Sequence, residues 1–245
     1  MLSTISIWFI LILPLVAFLY ASVGHGGASG YLALMVLFSF SPTLMKPTAL
    51  LLNLCVAGIA FYHYYKAGHF DKRLFLSFAA TSIPSAFVGG MITIDASIYK
   101  KILGILLVFA ILKMLNIIGK QGNKIKKVRL WQGLIVGGFI GFFSGLIGIG
   151  GGIILTPIIL LLHWGNMKSA AAVSALFIWV NSMAGILGQI SSGVELKTES
   201  FMLATIAFLG GFLGSYYGSK KFKNKVLSQL LVVILITASI KLLLV

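Results

Sequence analysis

The sequence predicts an all-α integral membrane protein made of two inverted repeats, each a glycine-broken helical hairpin followed by three transmembrane helices. Three observations lead to this fold class. Only 9% of the 245 residues are charged, against roughly 25% in soluble domains, and the mean hydropathy is +1.07. Apolar blocks long enough to cross about 30 Å of hydrocarbon recur along the chain. The blocks form two sets of four, which give up to ten helical segments when the longest blocks are divided.

A basic linker separates the two sets of blocks. The segment 120–129, "KQGNKIKKVR", is the most polar piece of the chain and holds five basic residues. It divides a first transmembrane repeat, residues 1–119, from a second, residues 130–245. The eight blocks are Ile5–Phe40, Pro47–Tyr65, Leu74–Ile94, Tyr99–Ile118, Leu130–Leu162, Ser169–Ile190, Ser200–Gly218 and Val226–Val245. Because "GHGGAS" at Gly24 corresponds to "GIGGGI" at Gly148, the sequence indicates an internal duplication.

The first block of each set is too long for a single crossing. Blocks of 36 and 33 residues would form straight helices of about 50 Å. Glycines lie near the middle of both, so we expect each block to fold back on itself as two arms of roughly 16 to 19 residues. Each repeat then has five helical pieces. An odd number places the second repeat upside down relative to the first, as in many secondary transporters.

The distribution of charge favours the folded-back arrangement. It places thirteen basic residues on one side of the membrane and four on the other, whereas single crossings would divide them nine to eight. Because cytoplasmic loops are rich in Lys and Arg, we expect a multi-pass protein of the cell membrane with a cytoplasmic linker and both termini outside. The net charge of +15 comes from basic residues clustered in the loops, where they set the orientation of the helices. The lipid bilayer is therefore an expected partner and nucleic acid is not. A homo-oligomer stays open.

Two glycine-rich stretches interrupt the longest blocks, and we call them the first elbow (residues 24–27) and the second elbow (residues 148–152). Glycine costs about 1 kcal/mol relative to alanine inside a helix, so we expect helices to end there. Helix N-termini present unsatisfied N–H groups and about half a positive charge, which favour a small anion between the elbows. Close packing of helices through small residues is the alternative. The predicted binding glycines are Gly24, Gly26, Gly27, Gly148, Gly150, Gly151 and Gly152.

Six other side chains near the elbows complete the predicted substrate site. They are His25, Ser29, Lys46, Asn53, Lys168 and Asn181. His25, whose counterpart in the second half is Ile149, would donate to the anion or carry a coupled proton, with hydrogen-bonded packing as the alternative. The lysines would attract the anion or extend to lipid headgroups, and the amides would line a polar path or join helices.

No catalytic centre, metal site or cofactor is predicted. The four acidic residues lie in loops or at segment ends, and four scattered histidines with one cysteine do not form a metal-binding pattern. The stretches "GASG" from Gly27 to Gly30 and "GFFSG" from Gly141 to Gly145 match the nucleophile pattern of an intramembrane serine protease, with His25 or His163 as the base. So short a motif arises easily in a glycine-rich chain, and the sequence therefore favours a protein that is not an enzyme.

Longer motifs resemble the TauE/SafE family of sulfite exporters, a family built on a repeat of four transmembrane segments. The motifs are "GLIGIGGGIILTPIILLL", "KSAAAVSALFIWVNS" and "GQISSGVE", and the resemblance covers nearly the whole chain. It implies transport of sulfite, sulfonates or related organosulfur and carboxylate anions, with Gly148, Gly150, Gly151, Gly152 and Pro157 as the second-half motif. The first half departs from this pattern because "GHGGASG" lacks a third consecutive glycine and a nearby proline. An anion channel of the same architecture, the identity of the anion and the direction of transport stay open.

Overall fold

The computed structural model describes residues 6–38, 40–92 and 125–223, with five isolated positions at 95, 98, 226, 229 and 236. Within these residues the chain forms eight α-helices and no strand. The helices are α1 (Ile7–Ser22), α2 (Ala28–Leu37), α3 (Pro42–Lys66), α4 (Lys72–Met91), α5 (Leu130–Ile147), α6 (Gly152–Leu161), α7 (Met167–Ser191) and α8 (Thr198–Lys220). The predicted block Tyr99–Ile118, the start of the linker and most of the block Val226–Val245 lie outside the described residues.

Both long first blocks break at their glycines, as the sequence predicts, but the second arms are shorter than expected. The first arms, α1 and α5, have 16 and 18 residues, whereas α2 and α6 have 10 each. Ten residues make a helix of about 15 Å, half of the hydrocarbon thickness. The second arms end early because Pro42 starts α3 soon after α2, and because His163 has a φ of 58° just after α6.

Each pair of arms folds back as a hairpin. At the start of α1 the ring of Phe9 stacks on Phe40 at 4.8 Å and meets the edge of Phe38 at 5.5 Å, so the end of α2 returns to the beginning of α1. In the second half, the backbone N–H of Lys126 before α5 donates to the carbonyl of His163 after α6 at 2.7 Å. The two ends of each hairpin therefore lie on the same side of the bundle.

Each hairpin packs its first arm against a long helix of the other half. Along α5 and α8, glycines face the partner backbone so closely that an added Cβ would collide with it. The colliding pairs are Gly137 with Phe78, Gly141 with Ser82 and Gly145 with Ala86 between α5 and α4, and Gly210 with Pro14, Gly214 with Phe18 and Gly218 with Ser22 between α8 and α1. Because the numbers rise together, α5 runs parallel to α4 and α1 runs parallel to α8.

Polar contacts define the two ends of the bundle. At the end where residues 125–129 lie, here the linker end, Lys168 Nζ at the start of α7 donates to the carbonyl of Ser219 at the end of α8 at 3.2 Å. At the opposite end, the Thr48 and Ser200 hydroxyls near the starts of α3 and α8 are 2.6 Å apart. Since α1 parallels α8 and α5 begins beside the linker, the hairpin α1–α2 enters from the opposite end and the hairpin α5–α6 enters from the linker end.

Five of the described helices are long and apolar enough to cross a membrane: α3 from Leu44 onwards, α4, α5, α7 and α8. Their outward faces carry large exposed apolar side chains, among them Ile135 on α5 and Leu209 on α8. A soluble protein rarely exposes such faces, whereas lipid covers them at no cost in apolar hydration. The interior holds the main apolar core and the two elbows.

Candidate functional site

The first elbow is a short turn between α1 and α2 that places two glycines in left-handed conformations. Gly24 has a φ of +76° and Gly27 a φ of +98°. The backbone N–H of Gly24 donates to the carbonyl of Ala21, and the backbone N–H of His25 donates to the carbonyl of Tyr20. These two hydrogen bonds close the last turn of α1. An added Cβ on Gly24 would collide with the backbone of Ala171 on α7. The turn and the close approach of α7 therefore both require glycine at position 24.

The second elbow contains three left-handed glycines. The φ angles of Gly148, Gly150 and Gly151 are +82°, +74° and +79°. Gly148 ends α5 with its N–H on the Ser144 carbonyl at 2.8 Å, and Gly151 stands at the N-cap of α6. Backbone conformation therefore requires glycine at three of the four glycine positions of this elbow, and at the fourth, Gly152, an added Cβ would collide with Ile178. Packing contributes as well, since a Cβ on Gly151 would lie 2.9 Å from the Phe177 ring.

The two elbows meet in the middle of the bundle at Asn53 of α3 and Ile178 of α7. A Cβ on Gly150 would lie 2.6 Å from both Asn53 Nδ2 and Ile178 Cγ2. A Cβ on Gly26 would collide with the Asn53 amide and lie 2.9 Å from Ile178 Cγ2. The structure thus brings together two glycine stretches that are more than a hundred residues apart in sequence.

Asn53 is fully buried and joins both halves. Its Oδ1 accepts the backbone N–H of Ala28 at 3.1 Å, which caps the N-terminus of α2, and its Nδ2 donates to Ser182 Oγ on α7 at 3.3 Å. Asn181 behaves differently. Its Nδ2 donates to the Phe177 carbonyl of its own helix at 2.7 Å, and its Oδ1 has no partner among the described residues.

His25 connects the first elbow to the start of α6. The side chain is 1% exposed, with Nδ1 3.1 Å from the Val23 carbonyl and Nε2 3.1 Å from the Gly152 carbonyl. A neutral imidazole donates only one hydrogen bond, so it satisfies one of these carbonyls, whereas the doubly protonated ring donates to both. The protonation state of His25 therefore determines whether the ring donates hydrogen bonds to the Val23 and Gly152 carbonyls at once or to one of them only.

The N-terminus of α6 is open. Its N-cap, Gly151, has no side chain to accept a hydrogen bond, and its carbonyl accepts from Ile154 and Leu155. The buried N–H groups of Gly152 and Ile153 have no acceptor within the described part of the chain. Buried backbone donors are almost always paired, so these two N–H groups are candidate hydrogen-bond donors to a bound anion.

A hydroxyl group with no partner lies beside this open N-terminus. Ser144 on α5 is fully buried, its Oγ has no hydrogen-bond partner among the described residues, and its Cβ is 3.4 Å from a Cβ built on Gly151. Ser144 flanks the second elbow in the sequence as a possible hydroxyl donor, but neither Ser144 nor Ser182 is among the residues predicted for the site. Their signal was weak, because serines in membrane helices usually bond their own backbone.

The two lysines cap helix C-termini. Lys46 Nζ donates to the carbonyl of Ile92 at 3.3 Å and that of Gly90 at 3.5 Å, at the end of α4, while Lys168 donates to Ser219 at the end of α8. The Lys46 stem lies beside the second elbow, since a Cβ on Gly148 would be 2.9 Å from its Cγ. Their ammonium groups are thus committed to helix ends next to the elbows.

The serine and histidine of the protease pattern are not paired with each other. Ser29 Oγ is 2.9 Å from the Tyr20 hydroxyl, and both ring nitrogens of His25 face backbone carbonyls. A serine nucleophile needs a base within hydrogen-bonding distance. For metals, the described residues contain no group of three or more His, Cys, Asp or Glu that would hold an ion.

In the part of the chain that the structure describes, five membrane-length helices and two half-length helices that meet inside the bundle define a multi-pass helical membrane protein. A family model described as sulfite exporter TauE/SafE matches residues 9–242. The chain belongs to the TauE/SafE family and is a membrane transporter of that family, which confirms the resemblance seen in the sequence.

Three similar proteins are each named a probable membrane transporter protein. One, from Sinorhizobium fredii, is 35% identical over 234 residues, which are 93% of this chain and 94% of the relative. One from Methanocaldococcus jannaschii is 26% identical over 145 residues, 56% of this chain and 52% of the relative. One from Bacillus subtilis is 31% identical over 104 residues, 42% and 38% of the two chains. No solved structure matches the chain. These names indicate a transporter and not an enzyme.

Proposed function

We propose that the protein carries a small anion across the cell membrane by alternating access around its two elbows. The substrate class is sulfite, a sulfonate or a related organosulfur or carboxylate anion. One observation carries the proposal: the open N-terminus of α6, with the buried N–H groups of Gly152 and Ile153, lies where the two elbows meet. Helix N-termini bind anions through such N–H groups and through their partial positive charge.

The anion would be bound mainly by the second elbow. Its oxygens would accept hydrogen bonds from the N–H groups of Gly152 and Ile153, and the Ser144 hydroxyl would add a third donor. Ile140 and Phe177 lie so close to Gly151 that an added Cβ would fall within 2.9 Å of both, so these side chains would exclude a bulky anion. His25, hydrogen-bonded to the Gly152 carbonyl, would link proton binding to the position of α6.

The packing supports inverted repeats as the basis of alternating access. Each hairpin enters from a different end of the bundle, and each lies parallel to a long helix of the other half, α1 along α8 and α5 along α4. This exchange of partners is what a two-fold axis in the membrane plane would produce. Movement of one hairpin relative to the other would then open the central site to either side in turn.

Transport by purified protein in liposomes tests the proposal. Radiolabelled sulfite should enter vesicles loaded with unlabelled sulfite faster than empty vesicles, because a carrier exchanges substrate, and uptake should saturate. Unlabelled sulfonates and short carboxylates should compete. Flux that grows linearly with sulfite concentration without counterflow would favour the alternative, an anion channel. Uptake of a cation with no response to any of these anions would contradict the assignment of an anion site.

Orientation is tested separately by cysteine labelling. Ten basic residues of the described part lie at the linker end and only Lys46 and Lys197 at the other, so the linker end should face the cytoplasm. The single native cysteine, Cys55, is first replaced by alanine. In that background a cysteine at exposed position Lys127 should resist an impermeant maleimide in intact cells, and a cysteine at Lys197 should react. The reverse pattern would contradict the proposed orientation.

A further inference from the structure

A groove lies at the linker end between the first turns of α4 and α5. It has a volume of about 540 Å³ and is lined by Lys72, Arg73, Leu76, Ser77, Val128 and Leu130. Two lining residues are cationic and three are apolar. We propose that this groove is a binding site for an anionic phospholipid, with the headgroup phosphate on Lys72 and Arg73 and an acyl chain along α4 and α5. The proposal does not depend on the transported substrate.

The two cations are not neutralised by acidic side chains of their own end of the bundle. The chain has four acidic residues, and Asp95, Glu195 and Glu199 lie at the opposite end. Asp71 is the acidic residue at the linker end, and its Oδ1 accepts the backbone N–H of Leu74 at 2.9 Å as the N-cap of α4. One oxygen of this carboxylate is therefore held at the helix terminus, and no ion pair joins Asp71 to Lys72 or Arg73 in the described structure, so both cations would be available to an external phosphate.

Apolar side chains continue from the groove toward the middle of the bundle. On α4, Leu76 is 52% exposed and Ile83 39% exposed. On the parallel helix α5, Leu130, Trp131 and Ile135 are 65%, 57% and 64% exposed. Both apolar stripes begin at the groove, which Leu76 and Leu130 line together. A phosphate ion would use only the cations, whereas a phospholipid uses the cations and the stripes together, with Trp131 at interfacial depth.

The corresponding place at the opposite end has a different charge. There α1 runs along α8 as α5 runs along α4, but α8 begins with Thr198 and Glu199 where α4 begins with Lys72 and Arg73. Glu199 would repel a phosphate. Among the described residues, the first turn of α4 therefore has two cations at the linker end, whereas the start of α8 has one cation, Lys197, and one anion, Glu199. Positive charge assigns the linker end to the cytoplasmic leaflet, where anionic lipids are concentrated.

Quenching of Trp131 fluorescence by brominated phosphatidylglycerol tests the site. The protein is reconstituted in phosphatidylcholine bilayers that contain increasing fractions of the brominated lipid, and the Trp131 signal is the part that Trp131→Phe removes. Each cation near a membrane surface favours an anionic lipid about fivefold, so the double variant K72Q/R73Q should weaken the preference over brominated phosphatidylcholine roughly 30-fold. Unchanged preference in that variant would overturn the proposal.

Two controls separate phospholipid binding in the groove from general surface charge and from binding of free phosphate. The variant K220Q/K221Q removes two cations from the same end of the bundle, where each lies over a tyrosine ring outside the groove. It should leave the preference unchanged, and an equal loss would mean that general surface charge is responsible. Inorganic phosphate at high concentration should not reverse the quenching by phosphatidylglycerol. If it does, the groove is a site for free phosphate and the assignment of a phospholipid is wrong.

Discussion

The two elbows occupy corresponding positions in the two halves, but their helix N-termini are satisfied differently. In the first elbow Asn53 caps α2 through the N–H of Ala28, and His25 bonds across to the second elbow. In the second elbow Gly151 provides no cap, and the N–H groups of Gly152 and Ile153 have no acceptor among the described residues. The N-terminus of α2 therefore has one side-chain cap, although the N–H groups of Ser29 and Gly30 have no acceptor among the described residues, whereas the N-terminus of α6 has no side-chain cap at all.

This difference indicates that the two duplicated segments have different roles, substrate binding for the second elbow and stability of the fold for the first. A side-chain cap engages one of the unpaired donors of a helix N-terminus, so we expect a capped terminus to bind an external anion less strongly than an uncapped one. An uncapped N-terminus in a buried position gains most from an anion, because its donors otherwise lack partners. We therefore expect substitutions at the second elbow to affect substrate binding, and substitutions around Asn53 to affect the stability of the fold.

The largest effect is expected from Gly151→Ala. A methyl group there would require a φ of +79° from an L-residue, at about 1 to 2 kcal/mol, and would crowd Ile140 and Phe177. Transport should be abolished because α6 and its N–H groups would shift. The matched control is Gly193→Ala, with a φ of +85° and no atom near the added Cβ, which should carry the backbone cost alone and retain transport. Parental transport by folded Gly151→Ala would show that the second elbow is not the binding site.

Asn53→Ala should produce the next largest effect, mainly on stability. The change removes the cap of α2 and the hydrogen bond to Ser182 in a fully buried place, which we expect to cost about 1 to 3 kcal/mol. Asn181→Ala is the control, because that amide bonds only its own helix and its Oδ1 has no partner among the described residues. Thermal unfolding in detergent measures both. If Asn181→Ala destabilises the protein more, Asn53 is not the residue that joins the elbows.

Ser144→Ala should change substrate affinity with little change in stability. Loss of one hydrogen bond to an anion costs about 1.5 to 3 kcal/mol, which corresponds to a rise in KM of roughly tenfold or more. Stability should hold because the Ser144 hydroxyl has no partner in the described structure. Ser29→Ala at the first elbow is the control and should leave KM unchanged, since Ser29 bonds to Tyr20. The opposite result, with KM raised only by Ser29→Ala, would assign the anion to the first elbow.

The smallest effects on stability and on KM are expected from Lys46→Gln and Lys168→Gln. Each variant loses a charge at a helix C-terminus, worth about 0.3 to 1 kcal/mol of stability. Lys46 lies beside the second elbow and Lys168 does not contact it, so only Lys46→Gln should raise KM, by a few-fold and less at high salt. Equal effects of the two variants on KM would mean that both lysines attract the anion, or that neither elbow is preferred.

Local features of the sequence predicted a large part of the fold. The helix breaks at residues 24–27 and 148–152 follow from glycines in otherwise apolar blocks, and the structure places positive φ angles there. The predicted length of the second arms was wrong, because the apolar sequence continues past the residues where α2 and α6 end. Inverted topology and the anion site stay predictions that the packing supports. The final block of each repeat lies largely outside the described residues.

The sequence by itself determined the membrane-spanning class, the family and the positions of the elbows. Composition, the length of apolar segments and glycine clusters are local properties of the chain. They determine which segments span the membrane and where helices end, whatever the tertiary contacts are. Only the tertiary structure decided which elbow is capped, what Asn53 bonds and that Lys46 caps a helix of its own half. These roles depend on partners up to 129 positions away, such as Ser182 for Asn53. A buried polar group bonds whatever packing brings within about 3 Å, and one sequence alone does not specify that neighbour.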